Sequence, residues 1–496
     1  MSAAAAGTGS DAVDAPAGDA ERRQRRGTQQ LLLARVLVYG SAYVVSAILA
    51  RQLGAEDYGT YGVIMSQLLW LEIVVNSGVP AAMAKLLADD APGTAAIEAA
   101  GRGLLVGSAL LAVGVGWLGA PILAALMRIP SGDWLLRLAL LDVPLAAAYA
   151  SYEGLLYGTR RFGVLAVAQA GVAAARIAGV LVLTRLGVSL VGALLVNVLA
   201  TAAICAALAL RFPPRRVTFP WPRAVAIVTI AAPVALYLVT SQVVVNLDLW
   251  SLKSLWRGDA DVVGFYVASA NLARTLGVVP AVQAGVLFAS IAWAVAAGDR
   301  ARATRHIQEA ARFALVVVTA AVVILSLDAA EILSVLFSRA YAGGGAYFPF
   351  QVTGFALFAL MDVFANALMA GGRRWLAAAV IVCVLPVMLA ANVALIPRFG
   401  AMGAGASMVL SIALCTAATG ALTYRAFGPL VRPATLARIA AAAVVAAVAS
   451  RLLPVTGPLV LVKAAALGVL YLGVLGALGE ISRDDLGLRA RPGSAS

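Results

Sequence analysis

Charge is scarce in this chain, and so are the side chains of most enzyme active sites. Charged residues are only 12% of the 496 residues, and hydrophobic ones 62%. A soluble globular domain is about half apolar and a quarter charged, so this composition excludes one and points to a polytopic membrane protein. There is one histidine, His306, and it lies in a charged connection. That leaves almost no material for histidine-based metal or acid–base chemistry. The three cysteines, Cys205, Cys383 and Cys415, all fall in apolar runs. They read as packing residues, with no disulfide framework or metal-binding spacing. No long polar loop separates the apolar runs, which leaves no room for an extracytoplasmic catalytic domain. The net charge of +13 raises the question of nucleic acid. The basic residues are scattered through short loops without a stripe or recognition motif, so no nucleic-acid partner is expected.

What is present is a succession of apolar runs, with a mean hydropathy of +0.93. About twenty apolar residues cross a bilayer. With charges, Pro and Gly as punctuation, spans are expected near 31–50, 59–80, 100–127, 137–158, 162–184, 187–210, 224–247, 261–295, 309–337, 348–370, 375–396, 400–425, 433–453 and 457–478. The expected fold is an all-α polytopic membrane protein of about 14 transmembrane helices. Residues 1–27 have no apolar periodicity and read as a disordered tail. The span that follows is expected to be a retained helix, because no small-residue cleavage site accompanies it.

Two halves of the chain echo each other. Gly158-Thr159-Arg160-Arg161 is matched by Gly371-Gly372-Arg373-Arg374, and Arg185-Leu186-Gly187 with Gly192 by Arg398-Phe399-Gly400 with Gly405. Both pairs lie at an offset of about 213 residues, and Gly59-Thr60-Tyr61 answers Gly264-Phe265-Tyr266 at about 205. Three matches in order imply a duplicated bundle. The expected domains are an N-lobe at 28–210, a connector at 211–223, a C-lobe at 224–426, a helix pair at 427–480 and a tail at 481–496. An even number of helices per repeat gives both the same orientation, so the repeats are parallel.

Arginines near span ends set the topology. Arg22 to Arg26, Arg160-Arg161, Arg211, Arg215-Arg216, Arg223, Arg300 to Arg305, Arg373-Arg374, Arg425 and Arg432 fall on one side. Only scattered residues such as Arg51, Arg128, Arg185, Lys253, Arg257 and Arg398 fall on the other. The positive-inside rule makes the richer side cytoplasmic, with both termini there.

Ionisable groups inside spans are functional candidates by default. Arg176 lies about 14 residues into the fifth span, roughly 21 Å deep, and Arg274 about 13 residues into the eighth from the opposite side. One midplane guanidinium per repeat suits a phosphate or diphosphate, which arginine grips through paired donors. The bland alternative is neutralisation by a local acid or snorkelling, and Glu72 is at a depth to pair with either. Glu72 with Asn76, Gln242 with Asn246, Asn271 with Arg274, and Asp362 with Asn366 each fall one turn apart, on one face. These faces read as a polar cavity wall or as interhelical hydrogen-bond glue. Asp142 and Asp362 are candidate ion couplers, whereas Asp248 near a span end can be solvated. Lys463 is expected to snorkel or mark a peripheral contact. Pro280 is the expected kink of the long eighth span. Gly343-Gly344-Gly345 follows no strand, so it is a turn rather than a nucleotide loop.

The segment Leu49-Ala50-Arg51-Gln52-Leu53-Gly54-Ala55-Glu56-Asp57-Tyr58-Gly59-Thr60-Tyr61-Gly62 resembles the first-loop signature of polysaccharide-type lipid-linked oligosaccharide flippases. Glu153-Gly154-Leu155-Leu156-Tyr157-Gly158 leading to Arg160-Arg161, Gly264-Phe265-Tyr266, and Arg398-Phe399-Gly400 with Gly403 and Gly405 are similar as well. The resemblance spans roughly residues 30 to 480. It extends to the superfamily of multidrug and toxic-compound extrusion (MATE) proteins and lipid II flippases, the MOP superfamily. It implies two six-helix lobes in a V, two added C-terminal helices, and a central cavity open to one side at a time. In the polysaccharide branch it further implies transport of a polyprenyl-diphosphate-linked oligosaccharide from the cytoplasmic to the outer leaflet of the bacterial inner membrane. The product would serve O-antigen, capsule or exopolysaccharide assembly. Membrane lipids, a glycan polymerase and glycosyltransferases of the same pathway are the implied partners, with no cofactor. A lipid II flippase and a MATE-type cation or drug antiporter are the alternatives within the superfamily. A membrane enzyme of the pathway is the alternative outside it, and it lacks a metal or sugar-nucleotide motif here.

Overall fold

A computed structural model describes residues 17–89, 93–129, 132–187, 189–213, 219–275, 288 and 290–480. Every regular element among these residues is helical. The first half comprises α1 Ala17–Asn76, α2 Val79–Asp89, α3 Thr94–Leu126, α4 Gly132–Leu140, α5 Asp142–Gly158, α6 Phe162–Leu186 and α7 Leu190–Arg211. The second comprises α8 Trp221–Val244, α9 Leu247–Leu255, α10 Asp261–Arg274, α11 Arg300–Leu327, α12 Ala329–Leu336, a 3₁₀ turn Arg339–Ala346, α13 Phe348–Ala370 and α14 Arg374–Phe427. Two more helices, α15 Pro433–Leu452 and α16 Leu459–Ala477, follow.

Among the described residues eleven helices are long and apolar enough to cross a membrane, and the long ones account for two of the three spans by which this falls short of the expected fourteen. Helix α1 is interrupted at Gly54, whose φ is 77°, and α14 at Gly400, whose φ is 57°. Both glycines mark hairpins between two crossings. In a straight helix Ser46 and Tyr58 would lie about 18 Å apart, yet their hydroxyls are hydrogen-bonded. Likewise Ser407 reaches the carbonyl of Met388 at 3.3 Å, across a separation of about 28 Å in a continuous helix. Counting each as two crossings adds two. The expected span 261–295 is described only in part, and its expected kink at Pro280 lies outside the described residues. Helix α1 begins at Ala17, inside the segment that composition assigns to a tail.

The repeat seen in the sequence recurs in the backbone. Gly187 and Gly400, the paired glycines of the Arg-x-Gly turns, both have positive φ. In the Gly-x-Arg-Arg turns the left-handed residue is Arg160 in the first half and Gly372 in the second, one register apart.

The two halves meet along α1 after its turn and α10, where the glycines of the third repeat match face each other. A Cβ on Gly59 would lie 2.7 Å from the amide nitrogen of Gly264, and one on Gly264 would overlap the carbonyl of Ala55. Close backbone approach through small residues is how helices associate in lipid, where apolar surface gains nothing by leaving the solvent. Around this contact, the Arg51 guanidinium donates to the carbonyls of Phe337 at 2.5 Å and Val335 at 2.8 Å. It thereby satisfies the C-terminal end of α12, which has no intrahelical donors left. Tyr341 donates to the carbonyl of Ala50 at 2.9 Å, and the rings of Tyr58, Phe337 and Tyr341 pack together. The outer surface is apolar: Leu110, Leu111, Val115, Leu118 and Ile122 of α3 are all exposed, as a lipid-facing helix requires.

Helices α15 and α16 dock on α11. Lys463 lies 2.9 Å from Asp328, and its side chain is only 5% exposed. This corrects the expectation that Lys463 snorkels: its ammonium is held inside by a carboxylate from the lobe.

The glycine contact makes a prediction. Gly264→Ala should destabilise the protein by about 1–3 kcal/mol through overpacking. Gly107→Ala, with open space around its Cβ position, should be neutral or stabilise by up to about 1 kcal/mol. Thermal unfolding of the purified variants in detergent gives the comparison, and equal behaviour of the two would refute the packing account.

Candidate functional site

Beyond the Gly59–Gly264 contact the halves diverge around two adjoining chambers of about 380 Å³ and 310 Å³. Both are lined by Tyr61, Arg176, Asn197, Asn271 and Arg274. Helix α1 supplies one wall before and after its turn. Helix α6 supplies Arg176, α7 supplies Asn197, and α10 supplies Asn271 and Arg274. The two arginines therefore come from different halves and line one space. Glu72 lines the smaller chamber, and Tyr43, Ser46 and Thr275 the larger.

The guanidiniums are held differently. Helices α8 and α9 are separated by a break at Val245–Asn246, which leaves backbone carbonyls without intrahelical partners. Arg274, the last residue of α10, fills this break. Its Nη2 donates to the Asn246 side-chain oxygen at 2.5 Å and to the Val245 carbonyl at 3.3 Å. Its guanidinium also lies 5.7 Å from the centre of the Phe355 ring. The buried Nε has no hydrogen-bond partner. The direct contacts of Arg274 are thus an amide, a carbonyl and a ring, and the buried Asp248 carboxylate lies within electrostatic reach of it.

Arg176 makes no ion pair with any described residue, and its Nε is buried without a partner. Glu72 and Asp142 lie within electrostatic reach of it and of each other. Asp142 opens α5 at the α4–α5 break. One of its oxygens accepts from the Asn197 side chain at 2.5 Å, while the other is buried without a partner. The first half thus holds an acid–base cluster of Glu72, Asp142, Asn197 and Arg176 at the cavity wall.

Asn271 is fixed from three sides. Its side-chain nitrogen donates to the hydroxyls of Tyr58 at 3.0 Å and Ser46 at 3.3 Å, and its backbone carbonyl accepts from Tyr43 at 2.6 Å. Here the cavity wall and the hydrogen-bond glue are the same residue.

The remaining sequence candidates lie elsewhere. Asn246 acts through Arg274 and does not line the chambers. Asn76 keeps a buried, unpartnered side-chain oxygen off the cavity. The Gln242 backbone carbonyl accepts from Asn246 at 2.8 Å, and its side chain does not line the chambers. Asp362 sits within the second half, where Tyr237 donates to it at 2.7 Å and Asn366 at 3.1 Å. Asp248 is buried and accepts from Tyr266 at 2.5 Å, which corrects its reading as a solvated acid. Tyr43, Ser46, Tyr61 and Asn197 were not singled out by sequence. A hydroxyl or lone amide in an apolar run carries no pairing signal until the helices are assembled. No group of three or more His, Cys, Asp or Glu among the described residues is placed to hold a metal.

Because Arg274 bridges a helix break and Arg176 does not, their removal should differ. Arg274→Met should cost about 1–3 kcal/mol by stranding Asn246 and the Val245 carbonyl. Arg176→Met should cost less than Arg274→Met, because it removes no hydrogen bond among the described residues. Unfolding midpoints in detergent would test this, and a greater loss from Arg176→Met would overturn the assignment.

A family model described as polysaccharide biosynthesis protein matches residues 25–291. No curated protein matches the chain. Among solved structures, the lipid II flippase MurJ in an inward closed conformation superposes with a TM-score of 0.74 at 11% identity. That match covers 90% of this chain and 98% of that one. A multidrug resistance MATE family transporter of the MOP superfamily in an inward-facing conformation gives a TM-score of 0.66 at 14% identity, covering 79% and 94%. An outward-facing one gives 0.59 at 15% identity, covering 83% and 96%. The chain belongs to the polysaccharide biosynthesis protein family and carries the membrane-spanning fold of the MOP superfamily.

Proposed function

We propose that the protein is a flippase for a polyprenyl-diphosphate-linked oligosaccharide, moving it from the cytoplasmic to the outer leaflet for O-antigen, capsule or exopolysaccharide assembly. One observation carries this reading: half-buried guanidiniums from both halves, Arg176 and Arg274, line the same space. A diphosphate offers several anionic oxygens, and two guanidiniums supply paired N–H donors that match them. Each arginine also keeps a buried Nε without a partner, hydrogen-bonding capacity that the protein itself leaves unmet. Tyr61, Asn197 and Asn271 add neutral polar groups suited to sugar hydroxyls. The prenyl chain remains in the bilayer while the head group passes between the halves.

In this reading the lobes run over 28–210 and 224–426, joined at 211–223, with 427–480 as an appended pair and both termini cytoplasmic. The count is fourteen crossings. The protein acts as a transporter rather than an enzyme, beside glycosyltransferases and a polymerase of the same pathway. An inside-negative potential favours outward movement of an anionic head group by about 2.3 kcal/mol per charge per 100 mV. Of the two proposed ion couplers, Asp142 is the better placed, because it lies within electrostatic reach of Arg176 whereas Asp362 is engaged by Tyr237 and Asn366 away from the chambers.

The test is reconstitution into liposomes with a labelled polyprenyl-diphosphate oligosaccharide, read as its accessibility in the opposite leaflet. Arg274→Ala and Arg176→Ala should each slow movement at least about tenfold, the loss of one charge-assisted contact of about 1.5–3 kcal/mol. Lysine should restore less than arginine, since its ammonium has no planar fork. Wild-type rates in folded alanine variants would remove the arginines from the mechanism. The similarity to MurJ favours a second reading, lipid II as cargo. Competition by unlabelled lipid II in the same assay separates the two.

A further inference from the structure

A second charged cavity lies away from the chamber between the halves. It occupies about 400 Å³ where the start of α11, the start of α15 and the end of α16 converge. Arg305, Gln308 and Arg312 follow one another at spacings of three and four on one face of α11. Arg432, the N-cap of α15, is followed by Thr435 and Arg438 at spacings of three. Four guanidiniums from two helices therefore face one space.

The acidic partners do not cancel them. Glu480, just past α16, is consumed internally: its side chain is 3% exposed and bound by Arg438 and Thr435, each at 2.9 Å. Its backbone carbonyl accepts from Arg312 at 2.9 Å. The Glu309 side chain is 70% exposed, so water screens it. Arg305 and Arg432 are exposed and make no ion pair with any described residue. The cavity keeps two uncommitted positive charges at its mouth, over a scaffold locked by Glu480.

Its level identifies the ligand. At the same end of the bundle, Thr304 on α11 donates to the carbonyl of Phe427 at 2.7 Å, and Gln308 to that of Pro429 at the same distance. The nearby chain segments carry Trp293 and Trp375, 69% and 62% exposed, as aromatic residues at a membrane–water boundary are. One turn along α15 from Arg432, Leu436 is 48% exposed and puts apolar surface directly next to the arginine. A soluble anion would use the arginines and leave that surface unused. A phospholipid would use both, its phosphate between Arg305 and Arg432 and its acyl chains along α15.

We propose that this cavity is a binding site for the head group of an anionic phospholipid, at the arginine-rich membrane face and separate from the transport chamber. Basic pockets between transmembrane helices hold such head groups.

Native mass spectrometry of the full-length protein in detergent, titrated with cardiolipin, phosphatidylglycerol or phosphatidylcholine, tests it. The variants are Arg305→Gln/Arg432→Gln, which spares the arginines that hold Glu480, and Arg373→Gln/Arg374→Gln, a control of equal charge at another turn. Anionic lipids should bind in preference to phosphatidylcholine. Their affinity should fall about twentyfold in the first variant, from a factor of about five per arginine, and stay near wild type in the control. Equal losses in both variants would reduce the effect to general attraction by basic loops and overturn the site. So would equal retention of all three lipids. Displacement of bound cardiolipin by millimolar inorganic phosphate would overturn the lipid assignment in favour of a soluble anion. None of these outcomes depends on what passes through the transport chamber.

Discussion

The contact between Gly59 and Gly264 is the constraint from which the rest of the architecture follows. In lipid, two helices gain little by burying apolar side chains against each other, so what brings them together must be geometric. Here the gain is backbone approach, with no room for a Cβ on either side. The approach fixes α1 against α10 at one end, and the segments beyond it must separate to accommodate Tyr43, Met65 and Leu69. A cavity between the halves is then the consequence of close packing at one end and bulk further along. The arginine at residue 51 and the Tyr58–Phe337–Tyr341 cluster reinforce the closed end with directional contacts that glycines alone do not supply.

The helix breaks do the complementary work. A continuous helix satisfies its own backbone and presents only side chains. An interrupted one frees carbonyls and N–H groups that something must satisfy. The α8–α9 break is met by Arg274, which gives that arginine a fixed orientation toward the chamber. The α4–α5 break places Asp142 at the start of a helix, where it meets Asn197 and faces Arg176 and Glu72.

Much of this was legible in the sequence because the signals were covalent or local. The Arg-x-Gly pairs at Gly187 and Gly400 predicted turns, and both glycines have positive φ. Depth along a helix is set by residue count, and it placed Arg176 and Arg274 at one level without any knowledge of packing. What could not be read is which helix face meets which. Asn76 and Asp362 obey the same spacing rule as Glu72 and Asn271, yet only the latter two reach the chamber. Lys463 looked peripheral because its partner Asp328 lies more than a hundred residues away on another helix. The turns at Gly54 and Gly400 were legible, since the reading parts 31–50 from 59–80 and 375–396 from 400–425; their tightness, with helix running on either side of a single residue, was not.

The two halves, though repeated in sequence, are not equivalent at the cavity, and the asymmetry bears on how a transporter could release its load. Arg274 is caged by an amide, a carbonyl and a ring, so its orientation changes little whether or not an anion is present. Arg176 has no such cage and stands beside two carboxyl groups. An anion that binds between the arginines competes with Glu72 and Asp142 for Arg176, and with Asp248 for Arg274, whose hydrogen bonds hold it in place as the anion comes and goes. Two equally rigid arginines would hold a diphosphate tightly in every conformation, and tight binding in all states slows turnover. One fixed arginine and one contested arginine give a site whose grip changes when the carboxyl groups move relative to Arg176, as any rearrangement at the α4–α5 break would make them do. In the proposed flippase, the difference in affinity between states would thus come from one half of the molecule, while the other half keeps the binding geometry constant.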